Sequence, residues 1–218
     1  MKHYFSVGRT VMPAVIVLLL LSGCISVPDS PSPRFYTLQP IKEAGSADIG
    51  DAASLDGAVV GIGPVTLPEY YSRPQIVTRK SDNTIEFAQF DRWAEPLDKS
   101  IGRVLGNNFS VLLPKLNIEL FPWHGAIPIK YQVIMEVIQL ECRLDGEAVL
   151  LMQWSVFDAR KELLFAKRSE YRTPVGPHTY AGLVQAISVL CESASREITA
   201  ALAELASKGS ALIPLTKE

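Results

Sequence analysis

The chain has 218 residues, 48% of them hydrophobic and 8% aromatic, with 21 Lys and Arg against 23 Asp and Glu. That balance carries no basic footprint and excludes a typical nucleic-acid binder. Its hydrophobic content is that of an ordinary globular protein with material for one real core.

The first stretch reads as an export signal. Lys2 and Arg9 supply a basic start, Val11 to Leu21 an apolar run, and Ser22 and Gly23 the small residues that precede cleavage. The run contains Pro13 and is shorter than the roughly 20 apolar residues that cross a bilayer core. Its end, Leu21-Ser22-Gly23-Cys24, resembles the bacterial lipobox, in which the cysteine sulfur receives a diacylglycerol before the signal is cut off. Residues 1–23 are therefore expected to be removed and Cys24 to become the lipid attachment site. Each buried acyl CH₂ contributes about 0.8 kcal/mol, so two or more chains hold a protein stably on a membrane. Position 25 is Ile rather than the Asp that retains such proteins at the inner membrane, which points to the periplasmic face of the outer membrane. The mature chain keeps 19 basic against 23 acidic residues, a formal net charge of −4.

Ser26 to Pro33 is Pro- and Ser-rich and reads as a linker, so 24–34 spaces a single domain over 35–218 from the lipid. Phe35 to Leu38 has strand composition. Lys42 to Asp56 reads as a surface loop. Ala58 to Leu67 is a strand bent or bulged by Gly61, Gly63 and Pro64, and Pro68 ends it. Gln75–Thr78 and Thr84–Phe87 form a hairpin about Asp82-Asn83. Glu95 to Leu113 is a helix: Leu97, Ile101, Val104, Leu105, Phe109 and Leu112 recur on one face, with Trp93 just ahead, Pro96 in the first turn and Pro114 as the stop. Asn117–Leu120 is a short strand. Lys130–Leu140, Ala148–Asp158 and Glu162–Tyr171 then alternate as a three-stranded antiparallel meander. A last helix runs from about Thr179 to Lys208 on the stripe Leu183, Val184, Ile187, Cys191, Ala194, Ile198, Leu202 and Leu205, closed by Gly209. These elements predict an α/β (α+β) fold: one two-layer domain, a mainly antiparallel or mixed sheet with two long helices on one face.

The chain carries no G-x-S-x-G elbow and no phosphate-binding P-loop. Gly61-Ile62-Gly63 is followed by Pro64 rather than a helix start and fails as a dinucleotide fingerprint. His124 and His178 lie in Gly/Pro loops without a second ligand at metal spacing. No catalytic residue, metal or cofactor is expected. Cys142 and Cys191 remain after lipidation. An oxidising compartment permits a disulfide between them, and two buried free thiols are the alternative.

Two stretches are distinctive, LPEYYSRPQIVTR at 67–79 and FAQFDRWAEPLDKSIGRVLGNNFSVLLP at 87–114. With the lipobox and the FYTL segment they resemble the PqiC/YmbA family, the auxiliary lipoproteins of ABC-type transport systems. Leu140-Glu141-Cys142 departs from that pattern, where an Asp-containing turn is expected. The resemblance implies a non-enzymatic subunit working with an MCE-domain protein and, through it, an inner-membrane permease and ATPase. Such a subunit would move phospholipid or another apolar cargo and maintain envelope integrity. A lipid-binding shuttle is the second reading, an envelope hydrolase the third. Pro68 and Pro74 bar the first stretch from a central strand, so it is expected at the surface or at an edge. Tyr70, Tyr71 and Arg73, with Arg79, Phe90 and Arg92 from the same two stretches, are the expected interface, either with the MCE partner or between copies in a ring; for any single residue the alternative is that one tyrosine folds back onto the core and Arg73 pairs with Glu69 or a nearby carboxylate.

Overall fold

A computed structural model describes residues 31–44, 55–123 and 127–209. The export signal, Cys24, most of the linker and His124 lie outside the described residues. The strands are β1 (Arg34–Tyr36), β2 (Val59–Thr66), β3 (Gln75–Ser81), β4 (Thr84–Trp93), β5 (Asn117–Leu120), β6 (Tyr131–Cys142), β7 (Glu147–Asp158) and β8 (Leu163–Pro174). The helices are α1 (Leu97–Leu112) and α2 (Tyr180–Ser207). Strands and helices in these proportions make an α+β fold, as the patterning predicts.

The large sheet has the order β5-β2-β6-β7-β8. β2 runs parallel to both β5 and β6, while β6, β7 and β8 form the expected antiparallel meander. Val133, Met135, Val137 and Leu140 stand opposite Val156, Trp154, Met152 and Leu150, so one face of the meander is apolar and buried. Both helices pack on the large sheet, α1 against β2 and β5 and α2 against β7 and β8. Their predicted stripes, from Leu97 to Leu112 and from Leu183 to Leu205, join the strand residues in one core. α1 starts at Leu97 with Pro96 in the capping position, two places later than the pattern suggests. α2 starts at the expected Thr179, whose hydroxyl accepts from the Gly182 amide at 3.1 Å.

β2 carries the expected bulge. Gly63 has φ +114°, open to glycine and costly to other residues. The pairing with β6 shifts register between Ile62 and Val65. Gln132 Nε2 donates to the Gly63 carbonyl at 3.1 Å, so the bulged backbone keeps a partner.

One expectation is corrected. The strands do not share a single sheet: β1, β4 and β3 form a second, three-stranded one. The break falls where β2 leaves β6 after Thr66 opposite Glu136. Leu67 and Pro68 turn the chain there, and two prolines without N–H groups cannot continue a ladder. β4 is also six residues longer than the hairpin reading. Its far end pairs in parallel with β1, Arg34 to Tyr36 standing opposite Asp91 to Trp93.

The chain after β1 crosses both helices. The Ile41 amide donates to Asn108 Oδ1 on α1 at 2.9 Å, the Gln39 amide to Ser188 Oγ on α2 at 3.2 Å, and Arg196 Nη1 to the Ala44 carbonyl at 2.9 Å. Asn108 in turn donates to Ser195 Oγ at 2.9 Å, which satisfies a polar pair buried between the helices. Leu38 and Leu55 are buried in the core, so the stretch read as a surface loop from Lys42 ends on a core residue.

Candidate functional site

The segment between β2 and β3 is a connection, as its prolines require. Glu69–Tyr71 forms one 3-10 turn, with the Tyr71 amide donating to the Pro68 carbonyl and the Ser72 amide to the Glu69 carbonyl, each at 2.9 Å. The two tyrosines part company there. Tyr71 is 7% exposed and its hydroxyl donates to the Leu140 carbonyl of β6, in the stretch that β2 has left. Burial drives its pKa far above the usual phenol value. Tyr71, expected at the interface, is thus a core residue that caps the open side of β6. Tyr70 is half-buried and lies over it, ring centroids 4.5 Å apart.

The other expected interface residues separate by face. Arg79 is half-buried, its Nε 3.4 Å from Glu141 Oε2 and its Nη1 2.7 Å from the Asp82 carbonyl, so it links the two sheets. Phe90 is half-buried in the irregular stretch of β4 between Phe87 and Arg92. Arg92 stands opposite Phe35 of β1 and Gln75 of β3, and therefore on their face of the small sheet. Phe87, opposite Val77, shares that face. The Arg73 guanidinium lies 5.1 Å from the centre of the Phe87 ring. Phe35 and Phe87 are 62% and 41% exposed.

The opposite face of the small sheet is closed by a cluster that the sequence reading passes over. Asp91 is 3% exposed and accepts from Arg34 Nη2 at 2.9 Å and from Tyr36 hydroxyl at 2.7 Å, with Arg34 Nε 2.8 Å away. A buried carboxylate needs such partners, and here they fasten the first strand to the domain. Burial first, then Asp91, raises the Tyr36 pKa.

A second polar cluster lies where α2 meets β8. Trp154 Nε1 donates to Ser169 Oγ at 3.1 Å, Ser169 Oγ to Glu197 Oε1 at 3.0 Å, and Tyr171 hydroxyl to Glu197 Oε2, while Lys167 Nζ sits 2.7 Å from Glu197. Burial pushes the Glu197 pKa up, but bonds from Lys167, Tyr171 and Ser169 outweigh it and hold the carboxyl below its ordinary range. Burial and then Glu197 raise the Tyr171 pKa. Every member of the cluster has a partner, and together they tie α2 to β7 and β8.

An open cleft of about 740 Å³ lies beside the β5 end, lined by Phe121, Trp123, Ile127, Ile129, Lys130 and Lys161 among others. Phe121 and Trp123 meet edge to face at 5.2 Å, and Trp123 and Ile129 lie directly over Gly61, where a Cβ would come within 3.0 Å of both.

Cys142 and Cys191 are buried free thiols, of the two alternatives the second. Burial pushes each up to about 12, which keeps them protonated and unreactive. The exposed His178 meets the Leu144 carbonyl through Nδ1 at 2.7 Å. Among the described residues, no group of three or more His, Cys, Asp or Glu is placed to hold a metal, and no helix is long and apolar enough to cross a membrane.

The family model described as the ABC-type transport auxiliary lipoprotein component matches residues 36–199. The intermembrane transport lipoprotein PqiC of Escherichia coli (strain K12) is 27% identical over 139 residues, 64% of this chain and 70% of that protein. The protein of the same name from Shigella flexneri matches to the same extent. Among solved structures, protein XCC0632 from Xanthomonas campestris superposes with a TM-score of 0.65 at 10% identity, covering 81% of this chain and 99% of that one. Another crystal structure, of an uncharacterized protein, gives 0.60 at 17% identity over 80% and 98% of the two chains. At such identities the structural matches establish the fold alone.

Proposed function

This chain belongs to the family of ABC-type transport auxiliary lipoprotein components, and from that premise we propose that it is the outer-membrane-anchored, periplasmic subunit of an MCE-type lipid transport system that maintains the envelope. The family match over residues 36–199 carries the reading, because it spans nearly the whole described domain, from β1 to the last turns of α2. The likeness to intermembrane transport lipoproteins supports the direction of the assignment. An anchor at Cys24 joined through a Pro-rich linker suits a protein that works at a membrane without crossing it. In this reading the chain binds an MCE-domain protein, reaches the permease and ATPase only through it, and performs no reaction.

The test pairs two measurements in the native bacterium. Affinity-tagged protein, isolated after mild cross-linking, is expected to bring down an MCE-domain protein. Deletion of its gene is expected to sensitise cells to detergents that intact envelopes exclude. Recovery of no MCE-domain protein together with an unchanged envelope barrier would sink the assignment. The cleft at Phe121 and Trp123 favours a second reading, a lipid-binding shuttle, since its apolar floor suits an acyl chain. Phospholipid retained by the purified protein, at a stoichiometry lowered by Trp123→Ala, would support it.

A further inference from the structure

We infer that the exposed part of the small-sheet face that carries Phe35 and Phe87, with Arg73 stacked on Phe87, is the surface with which the domain rests on an anionic phospholipid bilayer. The inference rests on the tethering through Cys24 proposed above and adds an orientation to it. Three observations converge.

The first is the pair of exposed aromatics. A side chain as apolar as phenylalanine left 62% open to solvent at position 35, with a second 41% open at 87 on the same face, forms a patch rather than scattered exposure. The ring bodies are suited to the headgroup boundary of a membrane. The second is charge. The exposed Arg73 stacks on Phe87, and the half-buried Arg92 stands opposite Phe35; among the described residues neither has an ion pair. The one other arginine on this face, Arg79, is already engaged by Glu141. Guanidinium groups without carboxylates, set among aromatic rings, complement lipid phosphates, each basic residue near an anionic leaflet adding about 1 kcal/mol, or about fivefold in binding.

The third is the covalent path. Phe35 belongs to the strand that the linker enters, and Arg34 is only ten positions along the chain from Cys24. Ten residues span at most about 36 Å when fully extended, so this end of the domain stays close to any bilayer that holds the lipid. The Asp91 clamp on Arg34 and Tyr36 fixes β1, and with it Phe35, rigidly to the sheet. A patch this near its own anchor meets the membrane at high effective concentration, where weak contacts suffice.

The experiment uses the full, lipidated protein reconstituted in vesicles of phosphatidylethanolamine with phosphatidylglycerol. A nitroxide is placed at position 87 through Phe87→Cys, and in a separate sample at the exposed α2 position 200 through Ala200→Cys. Relaxation by a water-soluble nickel complex is read at both. The label at 87 is expected to be shielded severalfold relative to the one at 200, and Phe35→Ser with Arg73→Glu, both at exposed positions, is expected to abolish the difference while circular dichroism stays native. Equal relaxation at 87 and 200 in acylated, vesicle-bound protein overturns the inference. Shielding that disappears when protein is diluted at fixed lipid marks a contact between copies and overturns it too. A mass showing no acyl chain on Cys24 overturns the tethering, and the inference with it, which separates that failure from the others.

Discussion

Tyr71 shows how a single side chain can pass for a surface anchor and serve the core. Its neighbours Pro68, Glu69 and Ser72 all belong to a connection, yet its ring is buried and its hydroxyl meets Leu140, sixty-nine residues away. Tyr71→Phe keeps the ring and withdraws the donor from a buried carbonyl. The expected loss is about 1–3 kcal/mol, read as a lowered melting temperature with unchanged far-ultraviolet circular dichroism; an unaltered melting curve would show that the hydroxyl contributes nothing. Glu197 makes a prediction of a different kind. Its folded pKa lies below the ordinary carboxylate value, so the native state binds the proton less readily than the unfolded chain. The stability it contributes is complete above the unfolded carboxylate pKa of about 4.3 and is lost as pH falls through the lower folded value. Glu197→Gln is expected to flatten the acid limb of stability against pH. Urea titrations at stepped pH that give the variant the same slope as the parent would assign the acid sensitivity elsewhere.

At the scale of elements, the sequence is legible where periodicity is long. Both helices and the meander β6–β8 follow from apolar spacing sustained over a dozen residues or more, and tertiary packing uses the faces that spacing marks. Pro68 and Pro74 correctly exclude a central strand. The second sheet is not legible, for a physical reason. β4 buries Asp91, a residue that any alternation rule sends to solvent, and the compensation comes from Arg34 and Tyr36, more than fifty residues earlier. The exposed patch is hidden for a related reason, since Phe35 lies in a three-residue strand and Phe87 beside an irregular stretch of β4, where pairing, not composition, decides their face. The start of α2 gives this scale its own test. Thr179→Ala removes the cap to the Gly182 amide and is expected to cost about 1 kcal/mol. Gly182→Ala gains up to about 1 kcal/mol of helix propensity, but its Cβ would lie 2.1 Å from the Pro177 carbonyl oxygen, a backbone atom that cannot swing aside. Overpacking of that kind costs about 1–3 kcal/mol, so the alanine is expected to destabilise despite its propensity. A more stable Gly182→Ala protein would mean that the turn before α2 is looser than described.

At the scale of the whole molecule, the fold is shared with chains only 10–17% identical, so the layered core tolerates wide substitution while the surface and the attachment decide the use. In the function proposed above, a covalent lipid makes this α+β domain an envelope component, and that proposal rests on one atom, the Cys24 thiol, as the acceptor of the diacylglycerol. Alanine at that position has no nucleophile, so neither lipid transfer nor the cut that follows it should take place. Cys24→Ala is expected to accumulate as the unprocessed precursor without incorporated palmitate. The remaining apolar run, Val11 to Leu21, is eleven residues, well short of the roughly 20 that span a bilayer, so the precursor should also be held on membranes more weakly than the parent. Labelled palmitate, gel mobility and extraction by alkaline wash read the three consequences separately. Processing and labelling that persist in Cys24→Ala would move the anchor to another residue. Loss of both, with the folded domain intact, would make the tether the feature that converts a common fold into a membrane-bound subunit.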